Sequence, residues 1–410
     1  MWFYNLCVIV YAALIRLVSP FYAKAKLWCS GRDGMFERMQ SSIDNTKEIV
    51  WIHVASLGDF EQGRPLVDYI KENHPDYKIL LTFFSPSGYE VRKNYQNADY
   101  VFYIPADTKR NVRRFLDIAK PKIAIFVKYE FWLNMLAELD KRNIRTFIAS
   151  AIFRRNSIFF NPFGGIWRKA LRSFETLFVQ DEGSKELLAT IGVENVVVAG
   201  DTRFDRVSTI AENAEKVEIV ERFKGNNRLF VAGSTWGPDE DILLPLIYAN
   251  PDVKFVIAPH EMEERRIERI MHGTNAIRYT QCNGIDFADK QVLILDTMGL
   301  LSRTYGSADW AYVGGGFGAG IHNTLEAAVY GLPVAFGTKY RKYKEACDLI
   351  ALGVGRSVKN ERELLSWFGE LKSDSDYLAR LSAIAKVYVG QHRGTTEKIV
   401  DTIFGRNNTL

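Results

Sequence analysis

Short apolar runs rich in Val, Ile and Phe alternate along the chain with longer stretches whose apolar positions recur every three or four residues. The first pattern is that of buried strands, the second that of amphipathic helices. Strands are expected at Ile49–Val54, Ile79–Phe84, Tyr100–Tyr103, Ile123–Val127, Thr146–Ala149, Leu177–Val179 and Val196–Ala199. A second series is expected at Leu229–Ala232, Phe255–Ala258, Val292–Leu295, Ala311–Val313 and Val334–Phe336. Between them the spacing predicts helices such as Gln62–Asn73, Arg110–Ile118, Phe131–Lys141, Glu261–Met271, Asn323–Tyr330 and Lys344–Leu352. This alternation is the signature of parallel sheets wrapped by helices. At 410 residues the chain exceeds one hydrophobic core. Two doubly wound, Rossmann-like α/β domains are expected, joined around Asp205–Gly225, with the active site in a cleft between their strand ends.

The N-terminus breaks the rhythm. Residues 1–23 are mostly apolar and carry Trp2, Phe3, Tyr4, Tyr11, Phe21 and Tyr22, with Lys24, Lys26 and Arg32 following. The first basic residue is Arg16, too late for a signal peptide, and Asn5, Arg16 and Pro20 interrupt a span of about 20 residues. An interfacial helix fits better, with rings at headgroup depth and the basic residues near anionic lipid. The alternative is a helix packed on the protein's own core.

Composition narrows the function only by exclusion. The balance of 47% apolar and 25% charged residues is ordinarily globular, and a net charge of +4 does not indicate a nucleic-acid partner. Four scattered cysteines form no CxxC pair, and His260-Glu261-Met262-Glu263-Glu264 lacks the second histidine of a zinc helix. No metal and no cofactor are expected.

The richest segment is Tyr312–Glu326, Y-V-G-G-G-F-G-A-G-I-H-N-T-L-E, a strand entering a loop of five glycines and leaving as a helix. Backbone amides there, with the helix N-terminus behind them, suit a phosphate. The rival reading is a close-packed turn that needs glycine for geometry alone. The match to a dinucleotide fingerprint is loose, and there is no P-loop Gly-Lys-Ser/Thr. Glu326 is equally compatible with a capping box begun at Asn323 and with a ribose diol.

Further strand ends carry chemistry of their own. In His53-Val54-Ala55-Ser56-Leu57-Gly58-Asp59-Phe60-Glu61, Asp59 reads as a general base or as a helix cap, with Glu61 as a neighbouring acid. Glu130 in Lys128-Tyr129-Glu130-Phe131-Trp132 reads as a second supporting acid or a paired structural one. Arg203 in Gly-Asp-Thr-Arg-Phe-Asp at 200–205 offers a cation. Gly233 and Ser234 precede a helix whose start Asp239 and Glu240 support, and His260 ends another strand as a ligand contact or a structural histidine.

Taken in order, these segments resemble the Kdo transferase family of lipopolysaccharide synthesis. They are Ala-Ser-x-Gly-acid-Phe at 55–60, Glu-Phe-Trp at 130–132, Gly-Asp-x-Arg-Phe-Asp at 200–205, Ala-Gly-Ser-Thr at 232–235, Asp-Thr-Met-Gly at 296–299 and Gly-x-His-Asn-x-x-Glu at 320–326. The ordered set covers essentially the whole chain. The resemblance implies a GT-B fold of two Rossmann-like domains facing a cleft. Residues 1–30 would be a membrane-associated helix, 31–210 the acceptor domain, 211–385 the CMP-Kdo domain, and 386–410 a helix returning to the first domain. It implies transfer of Kdo from CMP-Kdo to a lipid A precursor with inversion, at the cytoplasmic face of the inner membrane.

By the same resemblance Asp59 is the catalytic base. Arg203, Gly233, Ser234, His260, Met298, Gly299, Gly318, Gly320, His322, Asn323 and Glu326 would hold the donor. Ser56, Gly58 and Arg64 would meet the Kdo carboxylate or the acceptor. Three positions depart from the family pattern. Asp59 stands where the family usually has glutamate, and a misplacement of about 1 Å can cost about two decades in rate. Ala258-Pro259-His260 replaces a frequent Pro-Arg-His, and Leu300 a frequent glutamate. The remaining alternatives are a GT-B enzyme for another nucleotide sugar, a nucleotide-dependent oxidoreductase, and a non-catalytic membrane-peripheral binding protein.

Overall fold

Parallel strands covered on both faces need near-continuous apolar sequence, and β1 (Ile49–Val54) is buried at every position. The computed structural model describes residues 1–405. The chain divides into two units: Met1–Arg206 with the chain from Gly394 on, and Val207–Arg393. In unit 1, β1 is joined by β2 (Lys78–Phe83), β3 (Tyr100–Tyr103), β4 (Pro121–Val127), β5 (Arg145–Ala151), β6 (Thr176–Val179) and β7 (Val196–Val198). Their order is β3-β2-β1-β4-β5-β6-β7, parallel throughout.

Unit 2 repeats the plan with β8 (Arg228–Thr235), β9 (Val253–Pro259), β10 (Ala276–Arg278), β11 (Val292–Ile294), β12 (Trp310–Val313), β13 (Val334–Phe336) and β14 (Gly355–Ser357). The order is β10-β11-β9-β8-β12-β13-β14, again parallel. Winding reverses between β1 and β4 in the first sheet and between β8 and β12 in the second. Those two crests, at the strands' carboxyl ends, are where such sheets bind ligands. Both sheets are α/β and GT-B-like. The strands not expected from sequence, β10 and β14, are three-residue edges bearing Arg278 and Arg356, too short and too charged to stand out.

The last helix, Thr395–Phe404, belongs to unit 1. Its Ile399, Val400 and Ile403 are wholly buried in one core face with Phe60, Leu66 and Ile70 of the Leu57–Asn73 helix. Asp205 ties down its start, accepting from the amides of Gly394 at 2.6 Å and Thr396 at 2.7 Å.

The N-terminal helix, Trp2–Val18, has no buried residue. Phe3, Ile9, Leu14 and Leu17 are among its exposed side chains. It meets Ala23–Arg32 at a bend of 117°. Among the described residues no single helix is long and apolar enough to cross a membrane, although the bent pair is so when taken together. Arg32, expected near lipid, turns inward instead. It donates to the carbonyls of Ile104 and Phe84 at 2.9 Å and lies 4.0 Å from the centre of the Trp28 ring. Burial lowers its pKa to about 9.

Core burial makes a direct prediction. Ile399→Ala should destabilise the protein by about 2–5 kcal/mol in urea unfolding. Exposed Val387→Ala should stay within about 0.5 kcal/mol of the parent.

Candidate functional site

At the crest of unit 1, Ser56 begins the Leu57–Asn73 helix as its cap and Asp59 sits in the first turn. The Asp59 amide donates to Ser56 Oγ at 3.4 Å, and that hydroxyl donates to Asp59 Oδ2 at 2.6 Å. The cap is therefore Ser56 rather than Asp59, and its hydroxyl also orients the Asp59 carboxylate. The other oxygen, Oδ1, is 3.3 Å from Lys128 Nζ. Lys128 follows β4 with φ of +66°, a left-handed backbone that costs a non-glycine residue about 1–2 kcal/mol. Sequence reading did not single it out, because its placement depends on β4 lying beside β1. Gly58 is exposed, and a Cβ there would meet only Ser56 Oγ, at 3.8 Å, so packing does not require glycine at this position.

Glu130, on the same crest, accepts from Trp132 Nε1 at 2.8 Å and lies 3.1 Å from His53 Nε2. His53 is fully buried. Its Nδ1 lies 2.9 Å from Thr82 Oγ1, which already accepts from Trp51 Nε1 at 2.8 Å. Nδ1 is also 3.1 Å from the Thr82 carbonyl, and Nε2 is 3.2 Å from Trp132 Nε1, so the ring is held on both edges. The β1–β2 register, His53 opposite Thr82, builds this chain. Of the other acids and cations, Glu61 is engaged by Arg206 and lies 3.8 Å from Arg92. Arg64 bonds Asp68 at 3.2 Å. Arg203 belongs to unit 1 and the remaining donor candidates to unit 2; its guanidinium is 2.6 Å from the buried Asp201 carboxylate. Coulomb attraction from that guanidinium helps to outweigh burial and holds Asp201 below the usual carboxylate range.

At the crest of unit 2, packing accounts for most of the glycines. A Cβ on Gly233 would sit 2.1 Å from Tyr305 Oη, one on Gly314 2.3 Å from the Ser234 carbonyl, and one on Gly316 2.5 Å from Gly337 Cα. Asp239 organises the turn, accepting from the amides of Trp236 and Gly315 at 2.9 Å and from Tyr312 Oη at 2.7 Å. Burial raises its pKa. The Gly318 and Gly320 amides donate to Gly315 O, and the His322 amide to Gly314 O. A phosphate drawn to these amides therefore competes with bonds the loop already makes. Glu326 accepts from Asn323 Nδ2 at 3.2 Å. Ser234, with φ of +52°, sits in the irregular end of β8. Met298 is 78% exposed beside Gly299, beyond the end of β11.

His260 and His322 stack at 4.2 Å, and Trp236 Nε1 donates to His322 Nε2 at 3.2 Å. Burial, reinforced by His260, lowers the His322 pKa to about 4, and burial lowers His260 as well. Both rings are neutral near pH 7, a flat apolar edge beside the glycine turn. Among the described residues no group of His, Cys, Asp and Glu is placed to hold a metal ion.

This fold serves other chemistry as well. A UDP-GlcNAc 2-epimerase from Neisseria meningitidis, solved bound to UDP-GlcNAc, superposes with a TM-score of 0.63 at 15% identity, covering 87% of this chain and 100% of that one. Sequence is more selective. A 3-deoxy-D-manno-octulosonic-acid transferase (kdotransferase) family model matches residues 33–206. A 3-deoxy-D-manno-octulosonic acid transferase of Haemophilus influenzae is 24% identical over 368 residues, covering 86% of each chain. One of Aquifex aeolicus is 27% identical over 342 residues, covering 82% of this chain and 89% of the relative. In sequence the chain is similar to the Kdo transferases. The Kdo transferase model spans Ser56, Asp59, Lys128 and Glu130, and the 368-residue similarity to the Haemophilus enzyme is long enough to continue well into unit 2.

The histidine pair sets a pH dependence. Between about 6.5 and 4 the unfolded chain binds a proton that folded His322 does not, so stability from this group is complete above pH 6.5 and lost as the pH falls toward 4. His322→Gln should flatten that limb of the Tm-against-pH curve. A limb as steep as the parent's would show that His322 is not buried as the neutral ring.

Proposed function

We propose that this protein is an inverting glycosyltransferase of lipopolysaccharide biosynthesis that moves Kdo from CMP-Kdo onto a lipid A precursor. The observation that carries the proposal is Asp59, held between Ser56 and Lys128 at the winding reversal of unit 1, inside the segment that matches Kdo transferases. In the reaction, Asp59 takes the proton of an acceptor hydroxyl as its oxygen bonds the anomeric carbon of Kdo. The bond from that carbon to the CMP phosphate breaks on the opposite face, and CMP leaves. Unit 2 carries the donor: Ser234 and the turn through Asn323 toward the phosphate, Glu326 toward the ribose, and the His260–His322 edge beside them. Arg64, five residues beyond Asp59, is the candidate for the Kdo carboxylate, in exchange with Asp68. The exposed apolar side chains of the N-terminal helix support contact with the inner membrane at its cytoplasmic face, where a lipid-linked acceptor resides.

The epimerase likeness makes donor identity worth testing directly. CMP should raise the melting temperature more than UDP or NAD, and stabilisation by NAD alone would end the transferase reading.

Asp59→Ala should lower transfer from CMP-Kdo by about 10²–10⁴-fold with CMP binding retained. Asp59→Glu should keep measurable transfer. A wild type no more active than Asp59→Ala would point to a non-catalytic protein. For the membrane, Leu14→Glu and Leu17→Glu together should abolish flotation with phospholipid vesicles; undiminished flotation would remove the N-terminal helix from the contact.

A further inference from the structure

The helix that follows Glu130, Leu133–Lys141, begins without an ordinary cap. Its cap position is Trp132, whose side chain makes no capping bond, where Ser, Thr, Asp or Asn would normally satisfy the first amides. Those amides are satisfied from elsewhere. Asn134 N and Met135 N donate to the two carboxylate oxygens of Asp107, each at 2.9 Å. Leu133 N is 3.4 Å from Tyr4 Oη, which itself donates to Asp107 Oδ2 at 2.5 Å. Beside them, Asn134 Nδ2 donates to Asn5 Oδ1 at 2.7 Å. Asp107 is 1% exposed, and burial raises its pKa.

Two of these partners come from the N-terminal helix, none of whose residues is fully buried. The Trp132 indole, a donor only, cannot take up those amides; it donates to Glu130 at 2.8 Å. The same helix reaches Trp132 a second way. Tyr11 stacks on Phe84 at 6.3 Å, and Phe84 packs on Trp132 at 5.0 Å.

We propose that Tyr4 and Asp107 are positioning residues: Asp107 caps the Leu133–Lys141 helix, Tyr4 of the N-terminal helix holds Asp107, and together they set Trp132 and, through it, the Glu130 carboxylate. The inference rests on the reading above that the unit 1 crest is the transfer site. It gives the N-terminal helix a second duty beyond lipid contact, because undocking it takes the Tyr4 hydroxyl from Asp107 and Leu133 N at the start of the helix that follows Glu130.

The test uses the full chain in detergent, so that membrane attachment does not enter. Tyr4→Phe keeps the ring and removes the hydroxyl. It should lower kcat about 10- to 100-fold, the scale expected for displaced catalytic groups, while KM for CMP-Kdo stays within about twofold. Asn5→Ala, a milder change, should lower kcat in the same sense and covers the case in which Tyr4→Phe folds poorly. Amide hydrogen exchange gives a readout independent of turnover: Leu133, Asn134 and Met135 should exchange faster in Tyr4→Phe than in the parent. Parental kcat in both variants, or a fall in kcat matched by an equal rise in donor KM, would overturn the proposal. Unchanged exchange at those three amides would overturn it even if the parent proved inactive, an outcome that by itself would count against the transferase reading.

Discussion

A parallel sheet can be wound in only one direction from any strand, so a sheet covered on both sides must reverse somewhere. At the reversal the neighbouring connections leave toward opposite faces, and the strand ends between them stay uncovered. Each sheet of this protein has one such reversal, β1 against β4 and β8 against β12. The residues gathered there follow from that constraint. Asp59 and Glu130 leave adjacent strands, and Ser234 and the glycine turn leave another adjacent pair.

The two crests solve opposite problems. In unit 1, side chains are held at defined positions by bonds to one another: Ser56 and Lys128 on Asp59, and His53 and Trp132 on Glu130. In unit 2 the main chain is packed so closely that glycines are required, and a buried carboxylate, Asp239, supplies the turn with an acceptor. Such a turn leaves little room for rearrangement, and a preformed surface reduces the ordering cost of binding a nucleotide.

Much of this was legible in the chain. β1, β3 and β13 lie where their apolar runs place them, because burial on both faces leaves no other pattern. Asp59, Glu130 and the glycine turn were visible as polar or small residues at strand ends. Lys128 was not, since its approach to Asp59 needs two strands adjacent in space and a positive φ that lysine does not advertise. Tyr4 and Asp107 are 103 positions apart, and nothing local marks either as a cap for a third segment. The duller reading of the glycines, close packing, accounts for Gly233, Gly314 and Gly316. Arg203, read in sequence as a cation for a ligand, is held by Asp201 two residues before it.

Unit 1 is completed by the end of the chain. Its core face includes Ile399, Val400 and Ile403, and Asp205 waits for the amides of Gly394 and Thr396. During synthesis, the whole of unit 2 must be made before these residues exist. At about 5–20 residues per second that interval is roughly 10–40 s, during which the face beneath the Leu57–Asn73 helix stands open. The element bearing Asp59 is therefore fully buried only after unit 2 has been made, although its own sequence is translated before any of unit 2. A ribosome that stops short of Thr395 leaves the defect in the unit it finished first.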